Sequence, residues 1–158
     1  MKILLVGEYS RLHNSLKEGL ENFNHDVTIV AAKDGFKNYE VDLSIHKKYE
    51  KGLLKKIKNL IYRLTKIDLE SLYVKKQIVK LRPQISNFDV VQFINEASFG
   101  CTAQIEKDIF DLISGWNKNV FLLSCGTDYI SVKYAHDGIP EYSILTPYLN
   151  GKDRFLSS

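Results

Sequence analysis

The chain has 158 residues and a mass of 18.2 kDa, the size of one domain that can bury a core without disulfides or metal staples. Hydrophobic residues make up 44% and charged residues 26%, which excludes a disordered chain, and two cysteines exclude a disulfide scaffold. The net charge of +3 does not call for nucleic acid, yet it hides an asymmetry: residues 47–82 carry twelve basic side chains against three acidic ones, a local +9, and the remainder is −6.

Residues 2–6 (KILLV) form a short apolar run ended by Gly7. A continuous run predicts a strand buried on both faces, as in a parallel sheet. Ser10 is positioned to cap a helix from about Arg11 to Phe23, with Leu12, Leu16, Leu20 and Phe23 at helical spacing. Asn24-His25 is a turn, and residues 26–32 (DVTIVAA) read as a second strand. Strand, glycine loop, helix and strand within about thirty residues make a βαβ unit. Residues 33–45 read as a polar connection with a turn at Asp34-Gly35.

The basic window follows. Leu53, Leu54, Ile57, Leu60, Ile61 and Leu64 recur at three and four, which predicts an amphipathic helix. Asp68 can cap a further helical piece up to about Leu81, stopped by Pro83; one helix and two fit equally. Residues 88–94 read as a third strand, 100–114 as a helix with Ile105, Ile109, Phe110 and Ile113 on one side, and 119–124 (NVFLLS) as a fourth, buried strand. The remainder, with Asp137-Gly138, Ile139-Pro140 and Thr146-Pro147, is turn-rich; its end reads either as a chain cut at a loop or as a natural terminus.

Alternating strands and helices predict a single α/β domain over residues 1–158, a Rossmann-like three-layer arrangement with an open, mostly parallel sheet. Ligands of such sheets bind beyond the carboxyl ends of the strands. That rule selects four loops: 7–11, 33–39, 95–99 and 125–129. In the first, Gly7, Glu8, Tyr9, Ser10 and Arg11 lead into a helix N-terminus that favours an anion, and Ser10 and Arg11 can hold a phosphate or carboxylate; the plain alternative is a strand-to-helix turn with Arg11 in solvent. His13 is either a base beside the cleft or a surface residue of the first helical turn. Asn95 and Glu96 follow the third strand, and Gly126, Thr127 and Asp128 the fourth, so two carboxylates reach one edge. They can accept hydrogen bonds from sugar hydroxyls, work as a base, or act as helix caps.

Several chemistries are not expected. The first loop lacks G-x-G-x-x-G, and there is no P-loop, no G-x-S-x-G and no acidic pair of a phosphoryl-accepting receiver. Cys101 and Cys125 lack metal-ligand spacing, so no metal site is expected. No apolar run reaches the roughly 18 residues of a membrane helix, and the N-terminus lacks the h-region of a signal peptide; a cytoplasmic location is the expectation. The basic stretch is either a helix packed on the sheet with a solvated lysine face, or a surface for anionic lipid with Lys51, Lys55, Lys56 and Lys58 facing the membrane. Tyr49, Tyr62 and Tyr73 are too sparse for base stacking, which argues against nucleic acid.

In order and spacing the motifs resemble the N-terminal half of a GT-B-fold glycosyltransferase of the retaining class (group 1, family 4-like). MKILLVGEYS (1–10) is similar to the opening strand and loop of these enzymes, NHDVTIV (24–30) to their G-H-x-V-x-V strand, DVVQFIN (89–95) to D-V-V-H-x-H, and FLLSCGTD (121–128) to a strand ending in H-G-T-D. Gln92, Ile94 and Cys125 stand where the family often has His, so direct roles of those histidines do not carry over. The resemblance implies an acceptor-side domain, with a separate C-terminal domain, absent from this chain, holding the nucleotide-sugar donor. It implies sugar transfer to a polysaccharide or lipid-linked acceptor by the full-length enzyme, peripheral binding at the inner membrane face, and no cofactor held by this chain. Gly7–Arg11, His13, Asn95, Glu96 and Gly126–Asp128 would line the acceptor side; no catalytic base is assigned. The alternative is a non-catalytic α/β module that binds a small anion or a partner protein through the same loops.

Overall fold

The computed structural model describes residues 1–32, 39–49, 52–123 and 129–137. Residues 1–123 form one compact unit and residues 124–158 a second. In the first, five strands lie in a single sheet: β1 (Lys2–Val6), β2 (Asp26–Ala32), β3 (Leu43–Ile45), β4 (Val90–Phe93) and β5 (Asn119–Leu122). Their order is β3-β2-β1-β4-β5, and every pairing is parallel. All five carboxyl ends therefore reach the same edge. The helices are α1 (Leu12–Asn22), α2 (Gly52–Thr65), α3 (Leu69–Lys80), the single turn α4 (Arg82–Ile85) and α5 (Ala103–Trp116). The second unit contributes α6 (Tyr129–His136).

The pleat sends alternate residues to opposite faces. Leu4, Val6, Val30, Ile45, Val91 and Phe93 form one core with Val74 and Ile78 of α3 and Ile109 and Ile113 of α5. Ile3, Leu5, Val27, Ile29 and Ala31 form the other, with Leu16 and Leu20 of α1 packed on it. Helices thus cover both faces of the sheet, as the continuous apolar runs require, and the α/β Rossmann-like expectation stands.

Several local expectations change. Leu12 and Phe23 are exposed, and the inward position of the first helical turn belongs to the fully buried His13. Ser10 does not cap α1: it has a φ of 54°, and Arg11 at φ 67° is the residue before the helix and gives no side-chain cap. An N-cap needs extended backbone, so Glu8 supplies the carboxylate instead, accepting the Asn14 N–H at 2.7 Å. β3 lies inside the stretch expected to be a polar connection. β5 is an edge strand rather than a buried one, with Phe121, Leu122 and Leu123 exposed. The basic window forms two main helices: Asp68 caps α3 by accepting the Glu70 N–H, and Pro83 opens α4, where its missing N–H costs nothing. No helix of the described residues is long and apolar enough to cross a membrane.

Candidate functional site

The loop after β1 turns on Gly7, whose φ of +87° lies in the left-handed region. A Cβ there would come within 2.5 Å of Ile94 Cγ2, so only glycine permits the loops after β1 and β4 to approach this closely. The Tyr9 hydroxyl donates to Ala97 O at 2.9 Å and ties the two loops together. On the β4 side, Asn95 Oδ1 accepts the Ala97 N–H at 3.0 Å, and the buried Ser98 Oγ donates to Asn95 O at 2.7 Å. The segment after them hangs on Glu106 of α5, whose Oε1 accepts the N–H groups of Phe99 and Cys101. Burial pushes the Glu106 carboxyl above its usual range, against the pull of those N–H groups. The Cys101 thiol is pushed up to about 12 by burial and by Glu106, which leaves it inert as a nucleophile.

Beneath the β1 loop lies a polar cluster. His13 Nδ1 is 2.6 Å from Gly7 O. A carbonyl only accepts, so Nδ1 carries the proton, and Nε2 accepts from Gln92 Nε2 at 3.3 Å. Burial lowers the His13 pKa, opposed by the Gly7 carbonyl and the charge of Glu8. His13 is therefore a neutral strut under the loop, neither the surface residue nor the cleft base of the two sequence expectations: its one free lone pair is taken and none of it is exposed. Glu8 is 7% exposed. Its Oε2 accepts both the backbone and side-chain N–H of Asn14, at 2.7 Å each, whereas Oε1 is buried without a hydrogen-bond partner among the described residues. One carboxylate oxygen thus fixes the start of α1 and the other keeps its acceptor capacity.

The remaining candidates are placed as follows. Arg11 is exposed and pairs with Glu18 at 2.6 Å, which raises its pKa and occupies the cation meant for an anion. Glu96 is exposed beside Asn95, and it does not cap α5, where Thr102 occupies the N-cap. Gly126, Thr127 and Asp128, most of the 33–39 loop, and Lys51 lie outside the described residues. Gly7, Glu8, Tyr9, His13 and Asn95 are brought together; Arg11 is turned away toward α1. Among the described residues no three His, Cys, Asp or Glu side chains are grouped to hold a metal.

Sequence reasoning missed Asn14 and Ser98, and it noted Gln92 only as a departure from a family histidine. Gln92 had a signal, a polar residue in step with Val90 on a face that is otherwise apolar. It also missed a cleft of about 530 Å³ beside α1, walled by Asn14, Lys17, Glu18, Tyr39 and Asp42, in which Lys17 bonds Asp42 at 2.7 Å. No family model matches the chain, no curated protein matches it, and no solved structure matches it.

Proposed function

We propose that this domain is the acceptor-side half of a glycosyltransferase that moves a sugar from a nucleotide-sugar donor to a polysaccharide or lipid-linked glycan. The observation that carries the reading is the carboxyl edge of the sheet. There Gly7 and the Tyr9–Ala97 bond join the loops after β1 and β4, and Glu8, beside Asn14, holds a buried acceptor oxygen without a partner among the described residues. That edge lies where open parallel sheets bind ligands, and the exposed Glu96 carboxylate beside Asn95 can accept there from a ligand hydroxyl. The motif resemblance in residues 1–128 gives that edge its chemistry. The donor is the business of a second domain, and the meeting place is the inner face of a membrane, with an anionic surface as partner through residues 47–82.

The pairing of Arg11 with Glu18 weighs against the alternative of a small-anion module. The test is transfer of labelled hexose by the intact gene product. Glu96→Ala with Asp128→Ala is expected to lower transfer, and full activity of that double variant overturns the reading. In the isolated chain, amide shifts on titration with oligosaccharides are expected in residues 7–14 and 95–98. Shifts there with inorganic phosphate but with no saccharide favour the anion module.

A further inference from the structure

We infer that α2 is an interfacial anchor that inserts its apolar face into an anionic lipid bilayer and sets the carboxyl edge of the sheet against it, so that the acceptor arrives from the lipid. The second half of this statement rests on the glycan reading above; the first does not.

α2 buries none of its fourteen residues. At about 100° per residue, its apolar side chains share an arc of about 120°. Leu53, Leu60 and Leu64 in that arc are 72%, 59% and 77% exposed. A helix of this length is marginal in water by itself, and a leucine face left in water contributes nothing to holding it. What covers the face is told by the charges. Lys55, Lys56, Lys58 and Arg63 lie on α2, Lys66 follows it, and residues 52–65 contain no acidic side chain. Lys56 and Arg63 border the arc on one side and Lys58 on the other, where long basic side chains reach headgroups while leucines enter the acyl boundary. A second copy of the same face would bring like charges together about a two-fold axis. A partner protein would have to bring the acidic rim; an anionic bilayer has it everywhere.

The position of α2 gives the orientation. β3 ends at Ile45, at the carboxyl edge. Just beyond it, the N–H groups of Lys48 and Tyr49 are held at 2.8 and 2.7 Å by the two oxygens of Glu70, in the first turn of α3. Lys47 Nζ lies 3.3 Å from where a Cβ on Gly100 would be, at the end of the β4 loop. The chain therefore leaves for α2 and returns from it at the same edge that carries the joined loops after β1 and β4. Docking by α2 brings that edge to the lipid surface.

The test is cosedimentation of the full chain with vesicles of phosphatidylglycerol and phosphatidylcholine, and with phosphatidylcholine alone. Salt-sensitive binding to the anionic vesicles only is expected. Leu60→Glu with Leu64→Glu is expected to abolish it. Lys56→Glu with Lys58→Glu is expected to lower the partition coefficient more than tenfold, from about fivefold for each cation lost. Lys76→Glu with Lys80→Glu, on α3, is expected to change it little. All three double variants alter exposed or half-exposed side chains and are expected to retain the wild-type circular dichroism and melting. Three results overturn the anchor: no binding, equal binding to both vesicles, or equal loss in the α3 variant. Concentration-dependent dimerisation that Leu60→Glu with Leu64→Glu abolishes replaces the bilayer by a second copy. Vesicle binding without loop shifts from any glycan overturns the glycan reading alone. Saccharide-induced loop shifts without vesicle binding overturn the anchor alone.

Discussion

α2 and α3 are consecutive, similar in length and both rich in lysine, yet they stand in opposite relations to the core. α3 buries Glu70, Ser71, Val74 and Ile78, and its Lys75 pairs with Asp108 of α5 at 2.6 Å. α2 gathers its leucines and isoleucines on one side and buries nothing. Hydrophobicity alone therefore does not decide which helix packs. α3 packs because its narrow stripe is matched by the sheet and its polar groups find partners: Glu70 takes two backbone N–H groups, and Ser71 Oγ bonds both Asp68 and the Thr102 N–H. α2 has no acidic side chain of its own to set against its cations, and Lys66, just past it, lies over the exposed ring of Tyr62. A basic window of +9 thus divides into a half packed on the core and a half left in solvent.

The strongest test of this contrast is Ile78→Ala. It empties a fully buried site against the sheet and is expected to cost about 2–5 kcal/mol in urea denaturation. Next is Glu70→Ala, which strips the Lys48 and Tyr49 N–H groups of their acceptor; about 1–3 kcal/mol is expected, together with faster amide exchange at those two residues. A loss confined to stability, with slow exchange retained, would mean that the segment entering α2 is held by something else.

A pH series separates both helices from the loop. Burial keeps the folded His13 pKa below the ordinary imidazole value, so the fold favours the neutral ring. Its contribution is complete above about pH 6.5 and is lost as the pH falls below that, with a slope of at most about 1.4 kcal/mol per unit. His13→Asn, which keeps a donor for Gly7 O, is expected to remove that component from the stability profile. Smaller again is Lys75→Ala, a half-exposed ion pair expected to contribute about 0.2–1 kcal/mol and to weaken with salt. Smallest is Leu60→Ala, expected within about 0.5 kcal/mol of wild type. A cost as large as that of Ile78→Ala would show that the α2 face is covered by the chain itself and would end the contrast.

The elements carried by long periodic or continuous signals were legible: β1, β2, α1, α3 and α5 fall within a few residues of their expected bounds. β3 was not, because three residues around one serine (Leu43–Ile45) carry no pattern apart from their neighbour β2. The apolar run of β5 matches a buried strand, but sequence does not show that it occupies an edge. In the candidate site, Gly7 was readable because a turn after a strand calls for it. The contact between His13 and Gln92, 79 positions apart, was not, nor was the choice of Glu8 over Ser10 as the group that holds α1, since only the left-handed backbone at Ser10 rules the serine out.

One small contact bears on how the domain keeps to itself. β3 is an outermost strand, and His46 just past its end presents a backbone N–H and C=O where a foreign strand would attach. The Gln77 side chain meets both, accepting from the N–H at 3.0 Å and donating to the carbonyl at 2.8 Å. A carboxamide has the same donor and acceptor as a peptide unit, so Gln77 stands in for one rung of a neighbouring strand and ends the ladder there. A foreign strand that approached the sheet at this corner would have to displace that carboxamide first.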